Sequence, residues 1–243
     1  MDFVLSDALF MAGIVFFSYT AQSISGFGST VIAVTLGAHF FPLSVLIPSL
    51  VFLDLLLNGY LTARYAGHIC HRILWVRIIP FMAAGVAAGL LLFDILAGPV
   101  LKQILGLFVM VISAREVVSL YTSSQKTVHP VVQKLFFTLA GVIHGLYASG
   151  GPLVVYAASR LPMDKTGFRA VLTALWSILS ALMTLYFFLN GQWTGDTARL
   201  TLILFPGVAA GLIAGEILHK RLTERHFRFF VYIVLFVAGA TLL

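Results

Sequence analysis

Two glycine-rich clusters in an otherwise apolar chain are the residues best suited to chemistry. They read SISGFGST at 23–30 and YASGGP at 147–152. Glycine permits sharp turns and close approach, and a helix that begins there leaves its first N–H groups unpaired at its positive dipole end. Two such ends form an anion cradle that needs no lysine or arginine. The residues predicted to bind the anion are Ser25, Gly26, Gly28, Ser29, Thr30, Ser149, Gly150, Gly151 and Pro152.

The alternative is that these glycines only allow helices to pack closely, which is common in membrane proteins. The hydroxyls beside them favour a ligand, because Ser25, Ser29, Thr30 and Ser149 would add hydrogen-bond donors to the cradle. The recurrence of two similar tips in one chain favours the same interpretation.

Two ionisable residues in apolar segments are candidates for carrying a coupled proton. Asp54 lies midway along 43–63, and His144 lies shortly before the second glycine cluster. An ionisable group at membrane depth is costly and indicates function. In the alternative interpretation, Asp54 bonds Asn58 one turn on and His144 bonds a backbone carbonyl.

The composition predicts that these residues lie in a membrane protein. Of 243 residues, 60% are hydrophobic and 10% are charged, and the mean hydropathy is +1.03. A soluble domain carries about 25% charged residues, so the surface of this chain must face lipid. A disulfide scaffold and a nucleic-acid module are excluded, the former also because Cys70 is the single cysteine. Nothing in the chain indicates a cofactor or a metal site.

Apolar segments of unequal length organise the chain. Those at 43–63, 73–93, 99–119, 167–189, 198–218 and 226–243 can each cross a bilayer, which takes about 20 helical residues. The segments at 28–41 and 151–162 are too short, and each begins at a glycine cluster. The sequence therefore predicts two helical hairpins, at 8–41 and 134–162, with the clusters at their tips.

The basic residues predict that these hairpins enter and leave on one side. They concentrate at 62–77, 115–134, 160–169 and 219–228, which the positive-inside rule places in the cytoplasm. Lys134 and Arg160 are 26 residues apart, enough for one crossing, about 39 Å of helix, but not for two. A re-entrant hairpin alone keeps both clusters cytoplasmic. Both termini are then predicted outside.

An internal repeat links the two halves. The stretch PFMAAGVAAGLLL at 80–92 and the stretch PGVAAGLIAGEIL at 206–218 share the pattern PxxAAGxxAG. We predict two homologous halves, 1–122 and 123–243, each with a hairpin and three spans. Because that number of crossings is odd, the halves must be inverted. The predicted fold is an all-α polytopic membrane protein of two inverted repeats, an architecture typical of transporters.

The tips and the repeat resemble the TauE/SafE sulfite exporter family of bacterial membrane proteins. The resemblance rests on SISGFGSTVIAV at 23–34, GVIHGLYASGGPLVVYAA at 141–158 and the repeated PxxAAGxxAG. It implies a secondary transporter in the cytoplasmic (inner) membrane that exports sulfite, sulfoacetate or a related small anion. It also implies that Gly26, Gly28, Gly150 and Gly151, with their neighbours, hold the substrate.

Two other functions are compatible with the same tips. One is a passive anion channel in which the tips form the filter. The other is an intramembrane enzyme that uses Ser149 and His144, which the sequence disfavours because Tyr147 replaces the glycine of a Gly-x-Ser-Gly turn. We therefore predict a transporter and not an enzyme.

Overall fold

The computed structural model describes residues 5–25, 28–96, 98–119, 129–218 and 224–243. All regular secondary structure within these ranges is helical, with no strand. The prediction of an all-α chain is thus confirmed.

Ten α-helices occupy the described ranges. A 3₁₀ turn at Ala66–His68 and a π-helical stretch at Ile73–Ile78 lie between the third and fourth of them. The bounds are α1 Leu5–Ser25, α2 Ser29–Gly37, α3 Leu43–Arg64, α4 Ile79–Ile95, α5 Gly98–Ser119, α6 Pro130–Tyr147, α7 Gly151–Ala158, α8 Lys165–Leu189, α9 Gly195–Leu218 and α10 Glu224–Ala240.

Four stretches in the described ranges are long and apolar enough to cross a membrane. They are Leu43–Arg64, Ile73–Ile95, Thr166–Leu189 and Gly195–Gly215. In contrast, α2 has 9 residues and α7 has 8, and helices of that length rise only about 12–14 Å. Neither can cross a core of roughly 30 Å alone.

Local chemistry explains where several of the helices begin and end. Gly28, which precedes α2, has a φ of 100°, a value that glycine adopts without strain. His129 precedes α6 and Asp164 precedes α8, and each side chain accepts a backbone N–H of the first turn. Ala148, after α6, has a left-handed φ of 53° and donates its N–H to the His144 carbonyl at 2.7 Å.

The chain divides into two compact units, and the first comprises Met1–Ile47, Leu96–Ser124 and Thr194–Leu243. Within it, α9 packs backbone to backbone on α1, since a Cβ on Gly211 would lie 2.6 Å from the Phe16 carbonyl oxygen. Helices α5 and α10 meet where a Cβ on Gly106 would lie 2.6 Å from the Gly239 oxygen. Helix α2 packs on α1, α5 and α10.

The second unit comprises Pro48–Ile95 and Gln125–Trp193. Its closest pair is α4 with α6, which carry glycines at facing positions. A Cβ on Gly85 would lie 2.8 Å from the Gly141 Cα, and one on Gly89 would lie 2.9 Å from the Gly145 Cα. Small residues of this kind let membrane helices approach to backbone contact.

The two PxxAAGxxAG helices have equivalent partners in their respective units. Helix α4, from the first half of the sequence, packs on α6, and α9, from the second half, packs on α1. Each unit thus combines one hairpin with a repeat helix from the other half of the chain. The inverted repeat and its boundary at residue 122, which lies outside the described residues, stay predictions.

Candidate functional site

The second hairpin tip joins α6 to α7 and is buried throughout. The hydroxyl of Ser149 donates to the Tyr147 carbonyl oxygen at 2.8 Å. Gly150 is the N-cap of α7, and Gly151 and Pro152 begin that helix. The early proline fits, because its missing N–H is not needed in the first turn.

Gly150 is required by packing at this tip. A Cβ there would lie 2.4 Å from the Ala140 carbonyl oxygen and 3.1 Å from the His144 Cβ. The backbone of α7 therefore begins in direct contact with α6. Close helix packing, the alternative raised by the sequence, therefore explains why position 150 is a glycine, whether or not a ligand binds.

His144 lies one turn before the tip and is 1% exposed. Its ring stacks on Trp176 of α8, with centroids 5.1 Å apart and planes 26° apart. Within the described residues neither ring nitrogen has a hydrogen-bond partner, so the bond to a backbone carbonyl considered from the sequence is not present. An imidazole buried without partners is costly, so we expect these nitrogens to bond a group outside the described residues.

The first hairpin tip, between α1 and α2, is described only in part. Gly26 lies outside the described residues, as does the side chain of Ser25. The Ser29 N–H, at the start of α2, donates to Gln22 Oε1 at 3.3 Å. Ser29 and Thr30 are both buried. Among the described residues, a Cβ on Gly28 would meet nothing within 4 Å, and its left-handed backbone favours glycine there.

Asp54 is buried in the middle of α3, at 5% exposure. The bond expected from Asn58 is present, but it runs from the Asn58 Nδ2 to the backbone carbonyl oxygen of Asp54, at 2.9 Å. It therefore leaves the Asp54 carboxylate out of the pair. The role of Asp54 in coupling stays a prediction.

Sequence reasoning missed the polar face of one helix in the second unit, α8. It did not single out Ser180 and Thr184 on this helix. The signal was available, because Thr173, Ser177, Ser180 and Thr184 follow the spacing of one helix face.

Comparison with known families now bears on the whole chain. The family model described as sulfite exporter TauE/SafE matches residues 11–242. The chain belongs to the TauE/SafE family. No curated protein and no solved structure matches it. Membership in the TauE/SafE family and the apolar helices together make the chain an integral membrane transporter of a sulfite-export family.

Proposed function

We propose that the protein is a secondary transporter that exports a small anion, namely sulfite, sulfoacetate or a related organosulfonate, across the bacterial inner membrane. The anion is bound between the two glycine-tipped hairpins, which we take to be re-entrant. The membrane potential or a proton drives the alternation between inward-open and outward-open states. Asp54 and His144 are the candidates for carrying the proton.

The second tip is the observation that supports the proposal most strongly. There a helix begins inside the protein, beside a buried imidazole whose nitrogens have no partner among the described residues. A neutral imidazole has one N–H to donate, and the start of a helix attracts negative charge. Both preferences fit a small oxyanion.

Counterflow in proteoliposomes tests the function. The purified protein is reconstituted with sulfite, thiosulfate or sulfoacetate inside the vesicles, and uptake of the labelled anion is followed. A carrier gives saturable uptake that is accelerated by anion on the opposite face, whereas a channel gives no such acceleration. The absence of counterflow for every anion would remove the proposed substrate class.

Substitutions at the tips test the site. We expect Ser149→Ala and Thr30→Val to raise the half-saturating anion concentration, because each removes a buried hydroxyl. Ser159→Ala is the matched control, since the Ser159 hydroxyl also donates to a nearby carbonyl, that of Tyr156, but from the exposed end of α7. Gly150→Leu is a poor probe because its side chain would collide with Ala140.

A further inference from the structure

Polar stripes lie on two helices of the second unit that run beside each other, α3 and α8. On α8 the stripe is Thr173, Ser177, Ser180 and Thr184, and on α3 it is Asp54, Asn58 and Thr62, each spaced as one helix face. We name the region between these two stripes the α3–α8 seam.

Contacts along the two helices show that they are neighbours and run antiparallel. Residues early in α8 meet the end of α3, and residues beyond α8 meet the middle of α3. The contacts, in order, are Arg169 over the Tyr65 ring at 5.4 Å, the Ser177 hydroxyl 3.9 Å from a Cβ built on Gly59, and the Trp193 and Phe52 rings at 5.1 Å. Asp54 and Asn58 on α3, and Ser180 and Thr184 on α8, therefore lie between the last two contacts.

The seam contains buried polar atoms that have no partner in the described part of the chain. Asn58 is 0% exposed, Ser180 is 1% exposed and Thr184 is 7% exposed. The atoms without a partner are Asn58 Oδ1, Thr62 Oγ1, Ser180 Oγ and Thr184 Oγ1, and Gln192 Oε1 continues the series just beyond α8.

These hydroxyls differ from several other buried hydroxyls in the molecule, although Ser113 Oγ on α5 also lacks a partner among the described residues. Those of Ser18, Thr35 and Thr201 each donate to the carbonyl four residues earlier, as is common for helical serine and threonine. The hydroxyls of Ser180 and Thr184 have no such partner among the described residues. Leaving several polar groups unsatisfied in one place is costly in a protein and more so in a bilayer.

We propose that the α3–α8 seam is filled with water and is the route by which the anion passes through the second unit. Water fits because it can donate to the Asn58 oxygen and also accept from the hydroxyls, and a buried water needs two to four such partners. The seam also leads to the binding site, because Trp176, next to Ser177, carries the stacked ring of His144. The part that concerns the anion rests on the proposed function.

The α8 side of the seam suits an anion in transit. Its stripe contains hydroxyls only, which donate hydrogen bonds without a fixed positive charge, and the sequence has no lysine or arginine at 170–189. Passage requires binding that is favourable enough for entry and weak enough for release. The Asp54 carboxylate belongs to the opposite stripe, so we assign the anion to the α8 side.

Cysteine labelling tests both parts of the inference. In a Cys70→Ser background, Asn58→Cys, Ser180→Cys and Thr184→Cys are each reconstituted and exposed to sulfonatoethyl methanethiosulfonate, an anionic thiol reagent that itself carries a sulfonate. Leu182→Cys and Leu185→Cys are matched controls on the same helix, since these leucines are 48% and 55% exposed on faces that we expect to meet lipid. Gel filtration confirms that each variant is folded.

We expect the order of labelling rates to be the opposite of the order that side-chain exposure in the isolated protein suggests. The buried seam positions should react about tenfold faster or more than the exposed leucine positions, because the nucleophile that attacks the reagent is the thiolate, which forms in water and not in lipid. Sulfoacetate should slow labelling at 180 and 184. A cationic analogue of the reagent should react more slowly than the anionic one at these two positions.

The other outcomes separate the inference from the function. Folded Ser180→Cys and Thr184→Cys proteins that react no faster than the leucine controls would overturn the hydrated seam. If the protein still exchanges sulfoacetate but sulfoacetate does not slow labelling at 180 and 184, the seam is not the route of the anion. If the seam positions are labelled but no anion shows counterflow, the seam is hydrated and the proposed function is wrong.

Discussion

At the scale of single residues, His144 has the least satisfied side chain of the second tip. The ring is held in one plane by Trp176 and is closed off from solvent, yet both nitrogens lack a partner among the described residues. Stacking explains why the ring is fixed, but not why it is an imidazole. A phenyl ring would stack as well and would leave no polar atom unpaired.

We therefore predict different outcomes for two substitutions of His144. His144→Phe keeps an aromatic ring but removes both nitrogens, and it should weaken anion binding about 10- to 100-fold, as expected for a lost hydrogen bond to a charged group. His144→Gln keeps a donor and should retain part of the affinity. The measurement is the half-saturating concentration and maximal rate of counterflow.

His39→Phe is the control for that prediction. Its Nε2 lies 2.8 Å from the Thr241 hydroxyl, and its Nδ1 lies 3.2 Å from the Thr35 carbonyl oxygen, so this histidine is satisfied within the protein. The His39→Phe substitution should therefore leave the half-saturating anion concentration unchanged. Equal affinities for wild type and the His144→Phe protein would show that the imidazole does not contact the anion.

Gly28 offers a separate test at the first tip. Its φ of 100° is strained for any residue with a Cβ, although open space surrounds the position. Gly28→Ala should therefore destabilise the start of α2 by about 1–2 kcal/mol, and Gly28→Asn should cost less because asparagine tolerates left-handed backbone. Thermal unfolding in detergent ranks the variants, and a larger loss for Asn than for Ala would indicate crowding instead of strain.

At the scale of helices, hydrophobic length and glycine position were readable from the sequence. The segment predicted at 43–63 is the helix Leu43–Arg64, the one at 99–119 is Gly98–Ser119, and the glycine clusters lie where α1 and α6 end. A run of apolar residues has few alternatives to a helix in lipid. Partners were not readable, because the pairing of α4 with α6 is set by contacts between residues more than fifty positions apart.

The candidate site likewise has features that could be predicted from the sequence and features that could not. The sequence indicated His144 because an ionisable residue in an apolar run is conspicuous, but it did not indicate the Trp176 stack, which depends on how α6 and α8 pack. It also missed Ser180 and Thr184, since isolated hydroxyls in a membrane helix ordinarily bond their own backbone. Only the three-dimensional contacts reveal that these two do not.

The close glycine contacts make a prediction about helix packing. A Cβ on Gly85 would lie 2.1 Å from the Thr138 carbonyl oxygen, so Gly85→Ala must push α4 away from α6. We expect a cost of about 1–3 kcal/mol, typical of overpacking, and a lower midpoint of thermal unfolding. Gly13→Ala is the matched control, because a Cβ on this helical glycine would meet nothing within 4 Å and alanine favours helix.

At the scale of the whole molecule, connectivity links the tips to the rest of the chain. In each compact unit a glycine-tipped hairpin packs on the PxxAAGxxAG helix from the other half of the sequence. Gly85→Ala in α4 and Gly211→Ala in α9 would each disturb the hairpin of their own unit by the same mechanism. Hairpin position is thus tied to a helix that is distant in sequence.

The side of the membrane that each loop faces can also be predicted and tested. The positive-inside rule places the loop that carries Cys70 in the cytoplasm, together with the loops before α6 and after α7. If α6 and α7 form a re-entrant hairpin, residues 129 and 159 must face the same side as Cys70. If α6 and α7 together cross the membrane, these two residues must face opposite sides.

Labelling by a membrane-impermeant maleimide distinguishes these arrangements. Native Cys70 is partly exposed, and His129 and Ser159 are exposed, so His129→Cys and Ser159→Cys in a Cys70→Ser background give comparable probes. We expect all three cysteines to react in inside-out vesicles and none in right-side-out vesicles. Opposite behaviour of 129 and 159 would make the segment a full crossing, because about 30 residues of helix can span the bilayer once. The second tip would then no longer be re-entrant, while its contacts with His144 and α6 would be unchanged.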